Sequence, residues 1–207
     1  NNMDNAQRKT ILTYNRLGKR YLKDISRAIP KQLAPFIKIL PKRSRVLDVG
    51  CAGGRDSKIF IKHGFDVVGT DASRVFIREA KKYAPNAKFL QRDLRTLTFS
   101  PRSFDAIWAN AVLLHFKKRE IPGILKKFHD FLRKSGVIHI RVKKGEGSQL
   151  VKERLSQNLG RSFTFFTKEE VENLLRGAGF EVIYSRVVQD ELGRKKVPWV
   201  VVWARKS

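Results

Sequence analysis

The chain has 207 residues, and 42% of them are hydrophobic, which is enough to bury the core of one domain. We see no apolar run near the roughly 20 residues of a membrane span and no signal peptide, so we expect a cytoplasmic protein without a membrane partner. The only cysteine, Cys51, excludes an internal disulfide, and no cluster of His, Cys and acidic residues has metal-site spacing.

The net charge of +25 is concentrated in two segments. Residues 1–45 contain twelve Lys and Arg against two Asp, and residues 117–145 contain ten against two acidic residues. Such a surface can receive RNA, another polyanion or an acidic partner, or can simply be solvated. Aromatic residues are not interleaved with the basic runs, as a stacking platform for single strands requires. The charge thus allows RNA as a partner, but the missing aromatic residues make it the alternative and not the first choice.

Residues 1–44 precede the predicted sheet and are expected to form a helical cap. Apolar residues at helical spacing predict one amphipathic helix and then a second, shorter helix. The first helix carries Ile11, Tyr14, Leu17, Tyr21 and Ile25, and the second carries Leu33, Phe36, Ile37 and Leu40, with Pro35 in or near its first turn. We expect the basic side chains of the first helix to face solvent, namely Arg16, Lys19, Arg20, Lys23 and Arg27.

Residues 46–57, VLDVGCAGGRDS, predict a strand, a tight glycine turn and a helix over about 54–64. Glycines let a ligand approach the backbone closely, and the start of a helix offers free N–H groups. The dinucleotide fingerprint fails because Ala52 and Arg55 stand where it needs glycine, and no P-loop ending occurs. The pattern favours another nucleotide-like ligand over an ordinary turn.

Three more predicted strands follow, and each ends in a polar residue. Residues 65–71 end at Asp71, about 20 residues beyond the first glycine, where a carboxylate can accept both hydroxyls of a ribose. Asp71 could instead cap the helix that starts near Ser73. Residues 88–91 lead to Asp93, and residues 104–110 end at Asn110.

The remainder of the chain completes an alternating α/β pattern. We predict a helix over 118–134, a turn at Ser135-Gly136 and a strand over 137–142, followed by a glycine-bearing loop, 144–148, at the ligand edge of the sheet. Thr167 and Glu170 form a capping box that opens a helix ending at 177–179. Strands over 181–189 and 197–205 form a hairpin around 190–196.

Asp48-x-Gly50-x-Ala52-x-Gly54 resembles motif I, D/E-x-G-x-G-x-G, of class I S-adenosylmethionine (SAM)-dependent methyltransferases. Ala52 departs from the motif, and an alanine can be accommodated there if its φ is negative, so the substitution restricts the geometry of the turn without excluding the ligand. The later acidic residues and the Leu113-Leu114-His115 segment resemble the family's other motifs, most closely in the small type 11 or tellurite-resistance-like group. The resemblance implies a Rossmann-like methyltransferase domain over 45–207, with a seven-stranded, mostly parallel sheet and a C-terminal antiparallel hairpin.

The resemblance also implies SAM as cofactor, S-adenosylhomocysteine as product, and a role for each motif residue. Asp48 and the turn would hold the methionine end, Asp71 the ribose and Asp93 the adenine. The N-terminal helix, residues 1–28, would close over the cofactor as a lid, or would only dock in a groove. The implied cofactor contacts are Tyr14, Tyr21, Asp48, Gly50, Cys51, Ala52, Gly54, Asp71, Ala72, Asp93, Leu94 and Asn110.

Asn110 and His115 are the candidate catalytic residues, because either could orient the acceptor. The ordinary pKa of histidine also suits His115 to act as a base, although a histidine among Leu113, Leu114 and Phe116 can equally be a packed structural residue. We therefore predict a methyltransferase acting on a small molecule. The alternatives are an RNA methyltransferase and a binding module that has kept the fold without the activity.

Overall fold

The fold is built on one large sheet, seen here in a computed structural model that describes residues 5–152, 156–191 and 198–207. In chain order the strands are β1 (Arg45–Val49), β2 (Asp66–Asp71), β3 (Lys88–Gln91), β4 (Phe104–Asn110), β5 (Leu132–Lys143), β6 (Ser148–Lys152), β7 (Gly160–Thr164), β8 (Phe180–Val188) and β9 (Trp199–Lys206). The helices are α1 (Asn5–Ile25), α2 (Leu33–Lys38), α3 (Arg55–Lys62), α4 (Arg74–Tyr83), α5 (Ile121–Phe131) and α6 (Lys168–Gly177).

Seven strands pair in the order β3-β2-β1-β4-β5-β9-β8. The first five are mutually parallel, and β9 runs antiparallel to both β5 and β8. This confirms the expected mostly parallel sheet with its C-terminal antiparallel pair. Of the predicted hairpin turn, residues 192–196 lie outside the described residues.

The sheet is buried on both faces, which explains the nearly continuous apolar runs of its central strands. One face packs against α5 and α6 through a cluster that contains Leu125 and Leu175, and the other packs against α2 and α3 through Phe36 and Phe60. None of the described helices combines the length and apolar character needed to cross a membrane.

Helix α1 differs from its predicted apolar stripe. Its fully buried positions are Gln7, Thr10, Thr13, Leu17 and Gly18, whereas the other four predicted apolar positions are only half-buried. The reason is that α1 packs against strand β7, whose polar backbone it satisfies. The Thr13 hydroxyl donates to the Gly160 carbonyl at 3.0 Å, and the Ser162 amide donates to the Thr10 hydroxyl at 3.0 Å.

The predicted helix over 118–134 is too long at its C-terminal end. Helix α5 ends at Phe131, and β5 begins at once with Leu132, which pairs with Phe104 of β4. The predicted turn at Ser135-Gly136 lies inside β5, where the register shifts and Ser135 has φ of 61°. Pairing with β4 therefore outweighs the helical pattern of the last three residues.

A second sheet, the hairpin β6–β7, was not predicted. The glycine loop over 144–148 leads into this hairpin, with the Gly145 amide donating to the Phe166 carbonyl at 3.1 Å. No residue of that loop lines the large cavity described below, so its expected place in the ligand site was wrong. The hairpin instead packs against α1 through strand β7.

Candidate functional site

A cavity of about 640 Å³ lies at the carboxyl ends of β1, β2 and β4 and is covered by α1. This is the point where the strand order reverses, at which open α/β sheets bind their ligands. The sheet contributes Asp48, Gly50, Asp71 and Asn110 to its lining, and α1 contributes Gln7, Thr10, Ile11, Tyr14, Tyr21 and Leu22. No described residues form a group of three or more His, Cys, Asp or Glu that could hold a metal ion.

The glycine turn after β1 is bonded to the end of β2. The amides of Gly50 and Cys51 both donate to the Thr70 carbonyl, at 2.7 and 3.0 Å. Gly50 has φ of 70°, and a Cβ there would lie 2.6 Å from Val112, so only glycine fits. Gly54 is the N-cap residue of α3, also in the left-handed region.

Ala52 adopts φ of 46°, so the negative φ that would accommodate an alanine without strain is not the one found here. The cause is a hydrogen bond from the Ala52 amide to Asp71 Oδ2 at 3.0 Å, which turns the backbone toward the carboxylate. The residue type alone favours a negative φ at Ala52. The hydrogen bond to Asp71 at the end of β2 decides the conformation that the residue adopts.

Asp71 lies at the end of β2 between two backbone amides. Its second oxygen, Oδ1, accepts the Ser73 amide at 2.8 Å. Burial raises the pKa of Asp71 to about 6, against the opposing effect of the amide donors. Asp71 is not the helix cap, since the Ser73 side chain caps α4 by accepting the Phe76 amide. Each oxygen of Asp71 keeps lone pairs for further donors.

Asp48 is buried at the opposite side of the turn. The Ser57 hydroxyl donates to its Oδ2 at 2.6 Å. Burial, and then the nearby Asp56 carboxylate, raise the pKa of Asp48 to about 8. A cation placed beside this carboxylate would favour its charged form.

Arg55, the first residue of α3, connects the turn to the end of α1. Its Nη1 donates to the carbonyls of Ile25 and Ala28, both at 2.8 Å, and its Nε pairs with Asp56 at 2.7 Å. The last carbonyls of a helix have no partner within the helix, and Arg55 binds the Ile25 carbonyl at the end of α1 together with the Ala28 carbonyl just beyond it. Sequence reasoning missed this role, because it depends on how α1 returns to the sheet.

Asp93 and Leu94 both line the cavity, as expected, but Asp93 has an unexpected partner. Arg95 Nε donates to Asp93 Oδ1 at 2.9 Å, and its Nη2 pairs with Oδ2. The same guanidinium bonds the Gln7 side chain of α1. Asp93, which the family resemblance assigns to the adenine, is thus also linked to α1 through Arg95.

Tyr14 and His115 form one hydrogen-bonded pair in the cavity wall. His115 Nδ1 donates to the Ser162 carbonyl at 3.0 Å, so its Nε2 is left to accept the Tyr14 hydroxyl, also at 3.0 Å. Burial lowers the pKa of His115 to about 3 and raises that of Tyr14, so both are neutral. Arg161 donates to the hydroxyls of Tyr14 and Tyr21.

The far end of the cavity, beyond Asn110, contains residues that sequence reasoning did not select. They are Arg141 of β5, Trp199 of β9 and Glu191 before β9. Asn110 Oδ1 is buried there, and no described residue forms a hydrogen bond with it. A signal was available in the sequence, since Arg141 interrupts the otherwise apolar end of the strand 137–142.

A family model described as a methyltransferase domain matches residues 20–185. Over 74 residues the chain is 39% identical to a 2-methyl-6-phytyl-1,4-hydroquinone methyltransferase from Synechocystis, covering 34% of this chain and 23% of that protein. Over 82 residues it is 38% identical to a ubiquinone biosynthesis O-methyltransferase from Coxiella burnetii, covering 38% and 35%. The matches thus span about a quarter to a third of these relatives' length.

Two solved structures share the fold. A SAM-dependent methyltransferase from Methanosarcina mazei superposes with a TM-score of 0.76 at 23% identity, covering 83% of this chain and 96% of the other. A 1,6-didemethyltoxoflavin-N1-methyltransferase from Burkholderia thailandensis, solved with its substrate and S-adenosylhomocysteine, gives 0.75 at 22% identity, covering 100% and 92%. At these identities the likeness concerns the fold alone.

The positive φ of Ala52 predicts an unusual response to glycine. Left-handed backbone costs an L-residue about 1–2 kcal/mol, so Ala52→Gly should leave the free energy of unfolding unchanged or raise it by up to about 1 kcal/mol. Ala52→Val should lower it by about 2 kcal/mol or more. Thermal unfolding measures both, with Ala80→Gly inside α4 as a control that loses stability. An equal loss in Ala52→Gly would disprove strain at this turn.

Proposed function

This chain belongs to the class I SAM-dependent methyltransferase family, and from that premise we propose that it transfers the methyl group of SAM to a small-molecule acceptor. The observation that carries the proposal is the cavity beside Asp71, whose carboxylate closes the glycine turn and keeps lone pairs directed to further donors. Relatives named for quinol and ubiquinone-biosynthesis methylation support a small acceptor. The cytoplasmic location expected from the sequence is part of this proposal.

The residues of the cavity fit SAM. Asn110 Oδ1 is a buried acceptor without a partner among the described residues, and Asp48 is a buried carboxylate whose charged form a further cation would favour. An ammonium group at the methionine end meets both needs. Asp71 can accept two ribose hydroxyls in addition to its two amides. The volume of about 640 Å³ lies within the usual range of small-molecule sites.

Bound SAM would supply an already electrophilic methyl group, so the protein has to align the acceptor and exclude water. Asn110, at the end of β4, borders both ligands: its Oδ1 accepts from the ammonium, and we assign its side-chain N–H group to orienting the acceptor. His115 is half-buried and neutral, and its Nε2 already accepts the Tyr14 hydroxyl, which makes it a weak base at neutral pH. These contacts favour His115 as the residue that orients Tyr14 over the role of general base.

Asp71→Ala tests the cofactor assignment. Removing charge-assisted hydrogen bonds worth roughly 1.5–3 kcal/mol should weaken S-adenosylhomocysteine binding by about 10- to 150-fold, as measured by calorimetric titration. Asp66→Ala, at the exposed start of the same strand, is the matched control and should bind normally. NADH should give no binding heat. Tight NADH binding without heat from S-adenosylhomocysteine would exclude the proposed cofactor.

We further propose that residues 1–44 act as a cap on the domain 45–207, with α1 as the lid over the cofactor. Three contacts from separate elements support this: Arg55 holds the end of α1, Arg95 holds Gln7, and strand β7 binds Thr13. The two lid tyrosines pack with Phe76, at ring-centroid distances of 5.5 Å for Tyr14 and 5.8 Å for Tyr21.

Replacing both lid tyrosines should weaken cofactor binding without unfolding the sheet. In Tyr14→Ala/Tyr21→Ala we expect about a tenfold lower affinity for S-adenosylhomocysteine, about 1.4 kcal/mol, because the cofactor loses its cover from water. Leu12→Ala is the control, since Leu12 is 65% exposed on the outer side of the same helix. Full affinity in the double variant, together with an unchanged melting temperature, would refute the lid assignment.

RNA is the second candidate acceptor. It is favoured by one observation: the five basic side chains predicted to face solvent are all exposed along α1 and just beyond it, at Arg16, Lys19, Arg20, Lys23 and Arg27. Phosphate contacts from these residues would make RNA binding fall steeply with salt.

Changing the five basic residues to glutamine separates the two candidates. If the acceptor is RNA, binding of a generic structured RNA should weaken and its salt dependence should flatten. If the acceptor is a small molecule, RNA binding should be weak in the unchanged protein and in the variant. A variant with only Arg16, Arg20, Lys23 and Arg27 changed, which spares Lys19 in the cavity lining, should then keep its S-adenosylhomocysteine affinity. Filter binding at several salt concentrations measures the difference.

A further inference from the structure

The far end of the cavity contains a buried ion pair that the cofactor assignment does not use. Arg141 and Glu191 pair through Nη2 and Oε2, with side chains 4% and 9% exposed. Both line the cavity. Arg141 stands beside Asn110 in the register of β5 with β4, and so adjoins the residue assigned to the acceptor.

Two atoms of this pair have no hydrogen-bond partner among the described residues. They are Arg141 Nε and Glu191 Oε1, and both are buried. Folded proteins rarely leave buried polar atoms unpaired, because an unpaired atom loses its hydrogen bonds to water on folding and gains no others, which costs free energy. The ion pair therefore has one donor and one acceptor with which a ligand could form hydrogen bonds.

Charge limits what those groups can be. Arg141 is neutralised by Glu191 and lies over the Trp199 ring at 4.5 Å. The indole of Trp199 in turn donates to Asp190 at 3.2 Å, which brings a second carboxylate to this end. An acceptor that carried its own carboxylate would add a third negative group beside Arg141, the one guanidinium that the described residues pair with Glu191. A neutral polar group avoids that repulsion.

We propose that Arg141 and Glu191 recognise the methyl acceptor through a neutral edge on which a carbonyl stands beside an N–H or O–H, as in a lactam ring. Arg141 Nε donates to the carbonyl, and Glu191 Oε1 accepts from the N–H or O–H. This assignment rests on the proposed function, because it takes the Asn110 end of the cavity to be the acceptor site.

The test uses two probes of similar size and opposite chemistry. To protein saturated with S-adenosylhomocysteine we would titrate 2-quinolone, a neutral lactam, and 2-naphthoate, a carboxylate, following both by NMR. We expect 2-quinolone to bind at least about tenfold more tightly. Equal or tighter binding of 2-naphthoate, or no binding of either probe, would overturn the inference.

Glu191→Gln supplies the sharper comparison. Removing this negative charge should lower the affinity for 2-quinolone by about tenfold and raise the affinity for 2-naphthoate. The preference for 2-quinolone over 2-naphthoate should therefore shrink or reverse. Glu169→Gln makes the same chemical change on an exposed side chain and should alter neither probe. Unchanged affinities for both probes in Glu191→Gln would also overturn the inference.

Arg141→Lys keeps the inference testable if Glu191→Gln does not fold. Lysine retains the positive charge opposite Glu191 but has no Nε donor at the guanidinium position, so 2-quinolone binding should fall while S-adenosylhomocysteine binding stays normal. A separate titration with S-adenosylhomocysteine distinguishes the two failures. If S-adenosylhomocysteine does not bind, the proposed function is wrong. If it binds but neither probe is preferred, only the acceptor assignment is wrong.

Discussion

The site depends on one contact, between the Ala52 amide and the Asp71 carboxylate. This bond holds the turn after β1 against the end of β2 and accounts for the left-handed backbone of Ala52. It also aims Asp71 into the cavity between two amides. If the carboxylate moved, the turn would lose its reason for positive φ and the cavity would lose one wall. The fold and the proposed cofactor site therefore share a single group.

Helix α1 turns this edge of the sheet into an enclosed cavity. Its end is held by Arg55, its beginning by Arg95 through Gln7, and its middle by strand β7. Most of these contacts are hydrogen bonds, many to backbone atoms, so the helix is docked through polar pairing as well as apolar burial. Polar docking of this kind would suit the proposed lid, because water can replace the partners when the helix opens for ligand exchange.

The main parts of the site could be predicted from local sequence. Strand ends followed by Asp71, Asp93 and Asn110 indicate a shared ligand edge, because parallel strands bring their carboxyl ends together. Arg141 and Glu191 could not be paired in this way, since 50 residues separate them and Glu191 lies outside any motif. Their meeting depends on β9 inserting beside β5, a long-range pairing that no local pattern specifies.

The sequence by itself determined the α/β class, the order of strands and helices, the glycine turn and the exposed basic side of α1, because all of these follow from local periodicity and residue type. Tertiary structure alone decided the φ of Ala52, the end of α5 at Phe131, the hairpin β6–β7, and the contacts of Arg55 with Ile25 and of Arg95 with Gln7. The physical reason is the same in each case. A backbone or side-chain group takes the conformation that satisfies its hydrogen bonds, and those partners lie far away along the chain.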